Sequence, residues 1–250
     1  MKVITLLNEK GGVGKTTMAT TIAAGLAQNG MAVVLVDADP QAHATNCMAL
    51  PEKPMLYDLL IRDAGWQESM LAASGYGKLW IVPGNIETRG IPLHLSDAFK
   101  LDMRLRQLEG IVDVVVIDTP PTPSLFHSSI LLATDWVLHP TQCEYLSIDG
   151  LNKSIGHVYQ FSQRKEKEGL APIGTMGIIP TMFDPRTLEH RENLDAMQKE
   201  YGGHVWAEIN RRVIWTEATR AGKVVWDYAP GTDAARDGLA LVQRVQEGVA

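Results

Sequence analysis

The chain has 250 residues, 45% of them hydrophobic, with 23 Lys and Arg against 29 Asp and Glu, for a formal net charge of −6. A chain of this length can bury a large core in one α/β domain, and none of its apolar runs approaches the length of a membrane-spanning helix. Its two cysteines, Cys47 and Cys143, are far apart and lack metal-type spacing, which excludes a disulfide scaffold and fits a reducing cytoplasm; the acidic balance, taken whole, argues against a nucleic-acid binder.

The first apolar run, Val3 to Leu7, predicts a buried strand that begins at Lys2. The expectation is therefore one domain over residues 1–250, with no leader peptide and no helix-turn-helix ahead of it. Next come Lys10-Gly11-Gly12-Val13-Gly14-Lys15-Thr16-Thr17 and a helix-like stretch from Thr16 to Ala27, the strand, loop and helix context of a phosphate-binding loop. Gly11, Gly12 and Gly14 let the backbone turn tightly with its N–H groups inward, and the helix start adds a positive end. Gly11 to Thr17 thus form the candidate cradle for the phosphates of ATP. Lys15 is expected to reach the β- and γ-phosphates, and the Thr16 hydroxyl to ligate Mg²⁺. The strict pattern G-x-x-x-x-G-K-[ST] fails, because Glu9 occupies its first glycine position and a second lysine, Lys10, follows.

Further runs at Ala32 to Val36, Leu79 to Val82, Val112 to Ile117, Trp136 to His139 and Met176 to Ile179 are separated by helix-length segments. That alternation predicts a doubly wound, mostly parallel α/β sheet flanked by helices. Ligands of such sheets bind beyond the carboxyl ends of the strands. Asp37 and Asp39 follow the second run two residues apart, so an extended chain would send both carboxylates to one side. Asp118, ahead of Thr119-Pro120-Pro121, has the position of an acid that holds Mg²⁺. All three acids are expected to converge on one metal and one water.

The loop with its early lysine resembles that of the ParA/MinD family of deviant Walker A ATPases, most of all the ParA/Soj partition branch. The resemblance runs from Lys2 to about Val245 and includes Pro40-Gln41-Ala42-His43-Ala44-Thr45, Thr141 to Leu146, Thr181 to Thr187 and Tyr228 to Gly231. It implies that Lys10 crosses a dimer interface to the partner's nucleotide, that Asp39 orients or activates the attacking water, that Asp37 lies near the metal and that Asp118 completes its shell. Thr181, Met182 and Pro230 would border the adenine. It also implies an ATP-dependent sandwich dimer that binds nonspecific DNA, associates with the nucleoid, and partitions a plasmid, chromosome or other cargo with a ParB-like protein that stimulates hydrolysis.

Charge is uneven in a way that bears on DNA. From Leu151 to Trp226 there are eleven Lys and Arg against nine Asp and Glu, near +2, which leaves −8 for the rest. Arg186, Arg211, Arg212, Arg220 and Lys223 are the DNA candidates, although the family's Arg-Asn-Val-Arg reads Arg211-Arg212-Val213-Ile214 here. A MinD-like membrane anchor is not expected, since the last fourteen residues hold one arginine between Leu241 and Val249 and the apolar stripe suits packing on the sheet. Outside the partition branch, the resemblance leaves a MinD-like positioning ATPase, an ATP-dependent ligase and an iron–sulfur relay of the nitrogenase iron-protein type as alternatives.

Overall fold

The computed structural model describes residues 1–53, 55–121 and 124–249. Seven strands form one sheet: β1 (Lys2–Leu6), β2 (Val33–Asp37), β3 (Leu71–Ala72), β4 (Leu79–Val82), β5 (Val114–Asp118), β6 (Trp136–Gln142) and β7 (Gly174–Thr181). Their order is β3-β4-β2-β5-β1-β6-β7, parallel throughout except for β3, which runs antiparallel to β4. Six strands fall on the expected apolar runs. β3 was not expected, because two residues carry no periodicity.

The sheet is buried on both faces, so its strands are continuous in Val, Ile and Leu, and successive side chains divide between two cores. Ile4, Leu35 and Val116 face one layer, with Ile22 and Leu26 of the helix Lys15–Gln28 and Val242 of the helix Asp233–Val249. Val3, Val34 and Val115 face the other, with Leu56, Leu101 and Ile130 from three further helices. The C-terminal stripe packs inward as expected. Gly25 approaches Val242 so closely that a Cβ would come within 2.3 Å of its side chain. Among the described residues no helix is long and apolar enough to cross a membrane.

β1, β5 and β2 are adjacent, and their register aligns Leu6 with Asp118 and Asp118 with Asp37. The loop after β1 and the two acids therefore share one end of the sheet.

Candidate nucleotide site

Asn8 starts the loop after β1 and holds it from beneath. Its side-chain amide donates to Pro140 O at 2.9 Å and Thr141 Oγ1 at 3.1 Å, while its Oδ1 accepts from Lys10 N at 2.9 Å. The loop then turns through Gly12 at φ 77° and Gly14 at φ 91°, left-handed values open to glycine without strain, and the helix begins at Lys15. The Lys15 ammonium is buried and donates to Asn8 O at 2.9 Å and Lys10 O at 3.1 Å. Burial lowers its pKa, opposed by the charges of Asp118 and Asp39.

The Thr16 hydroxyl donates to Asp118 Oδ2 at 2.7 Å, and the buried Oδ1 of Asp118 has no partner. Burial, with Asp37 alongside, pushes Asp118 up to about 8. An orphaned carboxylate oxygen beside a hydroxyl is a hard donor pair, which fits Mg²⁺. No cluster of three or more His, Cys, Asp or Glu poised for a metal occurs among the described residues. Mg²⁺ takes one or two carboxylates and completes its shell from phosphate and water.

Asp37 departs from the expectation. β2 ends there, and its Oδ2 accepts from Thr45 N at 2.8 Å and Thr45 Oγ1 at 2.7 Å, while Oδ1 accepts from Asp39 N at 3.3 Å. Both oxygens serve the segment Asp39–Thr45, so Asp37, beside Asp118, anchors that segment. Burial raises it to about 6 despite the two Thr45 bonds. Asp39 lies beyond the strand, where the chain is already turning, and its Oδ1 accepts from Gln41 N at 2.8 Å. The two carboxylates consequently do not project side by side. Asp39 alone lines the cleft over the loop, about 680 Å³, with Gly11, Lys15, Thr16, His43 and Arg89.

A second recess of about 500 Å³ adjoins the cleft, with Gly14, Thr17 and Met182 lining both. Its wall is largely apolar, from Met18, Met182, Ile209 and Trp215. Thr181 donates its hydroxyl to Val13 O at 2.7 Å, tying β7 to the loop. Thr181 and Met182 are thus brought to the site. Pro230 is not: it is exposed and lines neither space.

Lys10 folds away from its own phosphate loop. Its ammonium donates to Ser147 Oγ at 2.8 Å, Glu144 Oε2 at 3.0 Å and Gln142 Oε1 at 3.3 Å. Of the basic candidates, Arg211, Arg220 and Lys223 are exposed, and Arg186 is exposed while paired in a fork with Asp184, which it holds well below the usual carboxylate range. Arg212 is the exception. It is half-buried and spent on Asp237 at 2.5 Å and Asp233 at 3.4 Å, joining its segment to the C-terminal helix instead of facing outward.

Thr45, Gln142, Glu144, Ser147 and Arg89 were missed as site residues. All lie at or beyond the carboxyl ends of strands, the location that the sheet topology singles out. Cys47 and Cys143 are buried thiols pushed up to about 12, in two separate packing environments, and neither suits a cluster bridging two subunits.

A glycine loop between a central parallel strand and the helix it feeds, over a threonine–aspartate pair, defines a P-loop nucleotide hydrolase, here with a lysine five residues ahead of the usual one. Residues 1–170 match a family model described as an AAA domain. The chain is 32% identical to the sporulation initiation inhibitor protein Soj of Bacillus subtilis, covering 98% of each chain, and 32% identical to the chromosome-partitioning ATPase Soj of Thermus thermophilus, covering 98% of this chain and 96% of that one. Among solved structures, the septum site-determining protein MinD of Pyrococcus horikoshii with Mg-ADP has the same fold, with TM-score 0.80 and 23% identity over 100% of this chain and 97% of its own. This chain belongs to the ParA/MinD family of ATPases, and its cofactors are ATP and Mg²⁺.

Proposed function

We propose that this protein is a partition ATPase of the ParA/Soj kind, which closes into a face-to-face dimer with MgATP and binds DNA without sequence preference in that state. A ParB-like partner stimulates hydrolysis, the dimer dissolves, and the cycle positions a plasmid, a chromosome or another cargo along the nucleoid. In the bound state the phosphates lie over Gly11 to Thr17, the base enters the recess walled by Met182, and Asp39 orients the attacking water. Thr16 and Asp118 would hold Mg²⁺, which neutralises phosphate charge when bound.

The observation that carries this reading is the placement of Lys10. Its ammonium is held by Glu144 and Ser147 of the segment after β6, outside its own loop, and this supports a role toward a partner's phosphates once that hold is released. The helices after β5, β6 and β7 open with exposed apolar groups. Tyr145 is 75% exposed, Leu146 66%, Leu188 59% and Leu125 71%. Four large apolar groups at starts of helices on the nucleotide side favour self-association there.

Light scattering of the purified protein with ATP or ADP tests the reading. The expected result is an ATP-dependent dimer, lost in Lys10→Ala with nucleotide binding retained, and accumulated in Asp39→Ala. A monomeric Asp39→Ala protein saturated with ATP would count against it. DNA retention by the dimer should fall steeply with salt.

A further inference from the structure

The turn after β4 delivers a cation to the cleft that neither lysine of the loop accounts for. Gly84 leaves β4 so close to the exit of β2 that a Cβ there would stand 2.5 Å from Asp37 O and 3.0 Å from Asp39 O. The two strand exits are therefore in backbone contact. Asn85 caps the short 3-10 turn Ile86–Gly90, accepting from Glu87 N at 3.0 Å and donating its own N–H to Thr88 Oγ1 at 3.2 Å, and Thr88 is buried. Glu87 is taken by Arg62 at 2.8 Å. Arg89 follows on this fixed turn and lines the cleft with Asp39, Gly11, Gly12 and Ser124, making no ion pair or hydrogen bond among the described residues.

Charge balance gives this arginine a task. Asp39 lines the cleft and Asp118 is held against Thr16, while Lys15 is the cation the loop itself provides and Lys10 is turned away. A γ-phosphate placed there adds further negative charge. A guanidinium presents a planar fork that matches two phosphoryl oxygens, and the Asn85-capped turn holds its backbone at the cleft.

We propose that Arg89 is a catalytic residue of ATP hydrolysis acting within its own subunit, its guanidinium meeting the γ-phosphoryl oxygens as the transition state forms. In that step the water oxygen bonds to phosphorus, the bond to the β–γ bridging oxygen breaks, and its electron pair stays on ADP. Both water protons leave on the released phosphate, and Arg89 transfers nothing. The proposal rests on the ATPase activity alone and is independent of DNA or a partner protein.

The test compares the full chain with Arg89→Ala and Arg89→Lys. The turnover of Arg89→Ala is expected to drop about 10–100-fold with KM within about threefold of the parent. Binding of Mg-ADP with aluminium fluoride should weaken by a similar factor while binding of Mg-ADP alone is unchanged, and Arg89→Lys should recover part of both. Retained affinity for a fluorescent ATP analogue shows that the variant is folded. Unchanged turnover, a rise in KM alone, or undiminished aluminium fluoride binding overturns the proposal. So does a variant that loses the ATP dimer yet hydrolyses normally per dimer, since Arg89 would then serve assembly.

Discussion

The Lys10 ammonium and the Glu144 carboxylate of the same chain stand 3.0 Å apart, and Ser147 Oγ lies 2.8 Å from the same nitrogen. The lysine proposed to reach the opposite subunit is thus latched at home, by residues from the segment after β6. Both partners are partly exposed, so each latch is worth about 0.2–1 kcal/mol. A dimer releases two latches. Glu144→Gln should therefore strengthen ATP-dependent dimerisation by roughly 2- to 30-fold. Sedimentation across a concentration series checks this; weaker dimerisation would mean that Glu144 serves the closed state.

Asp118 makes the response to pH specific. Its ordinary value is 3.8, and burial raises it to about 8 in the fold. A raised acid favours the protonated native state, so its contribution to stability is complete below about pH 4 and is lost as pH rises through about 8. Mg²⁺ needs the ionised form. Thermal stabilisation by Mg-ADP should consequently grow between about pH 6 and 8.5, and Asp118→Asn should remove both trends. Melting temperature measured with and without Mg-ADP over that range decides the point.

Thr45 gives Asp37 two of its three hydrogen bonds. Thr45→Val keeps the backbone donor and removes the hydroxyl, leaving a buried carboxylate oxygen less satisfied. The expected loss in urea unfolding is about 1–3 kcal/mol at pH 7.5. It should shrink below about pH 6, where Asp37 takes up a proton. An equal loss at both pH values would point to packing.

Arg211 and Arg212 are neighbours with opposite expectations. Arg212→Ala should cost about 1–2 kcal/mol of stability, through the lost bonds to Asp237 and Asp233, and leave the salt slope of DNA binding unchanged. Replacing the exposed Arg211 and Arg220 should leave stability nearly unchanged and lower the slope by about 0.9 for each phosphate contact removed. Filter binding of the ATP-bound protein over a salt series separates the two.

Much of this was readable from residues in order. The phosphate loop is a local object: Gly12 and Gly14 supply the turn, Lys15 and Thr16 follow at fixed spacing, and flanking apolar runs specify strand and helix, so seven residues carry it without help from afar. The buried strands were equally plain, because a sheet covered on both faces requires unbroken Val, Ile and Leu, and Asp118 at the end of such a run could be placed from its neighbours alone.

Tertiary structure decided which side chains were free to act. Asp37 and Asp39 look alike in sequence, but contact with Thr45 spends one and the end of β2 turns the other toward the cleft. Arg212 and Arg211 differ because the C-terminal helix brings Asp237 to only one of them. Lys10 meets Glu144 across 134 residues, and Arg89 reaches the cleft because β4 lies beside β2. Local spacing sets what a backbone segment can become; the pairing of a charged group depends on what the fold carries to within a few ångströms of it, and that information is distributed over the whole chain.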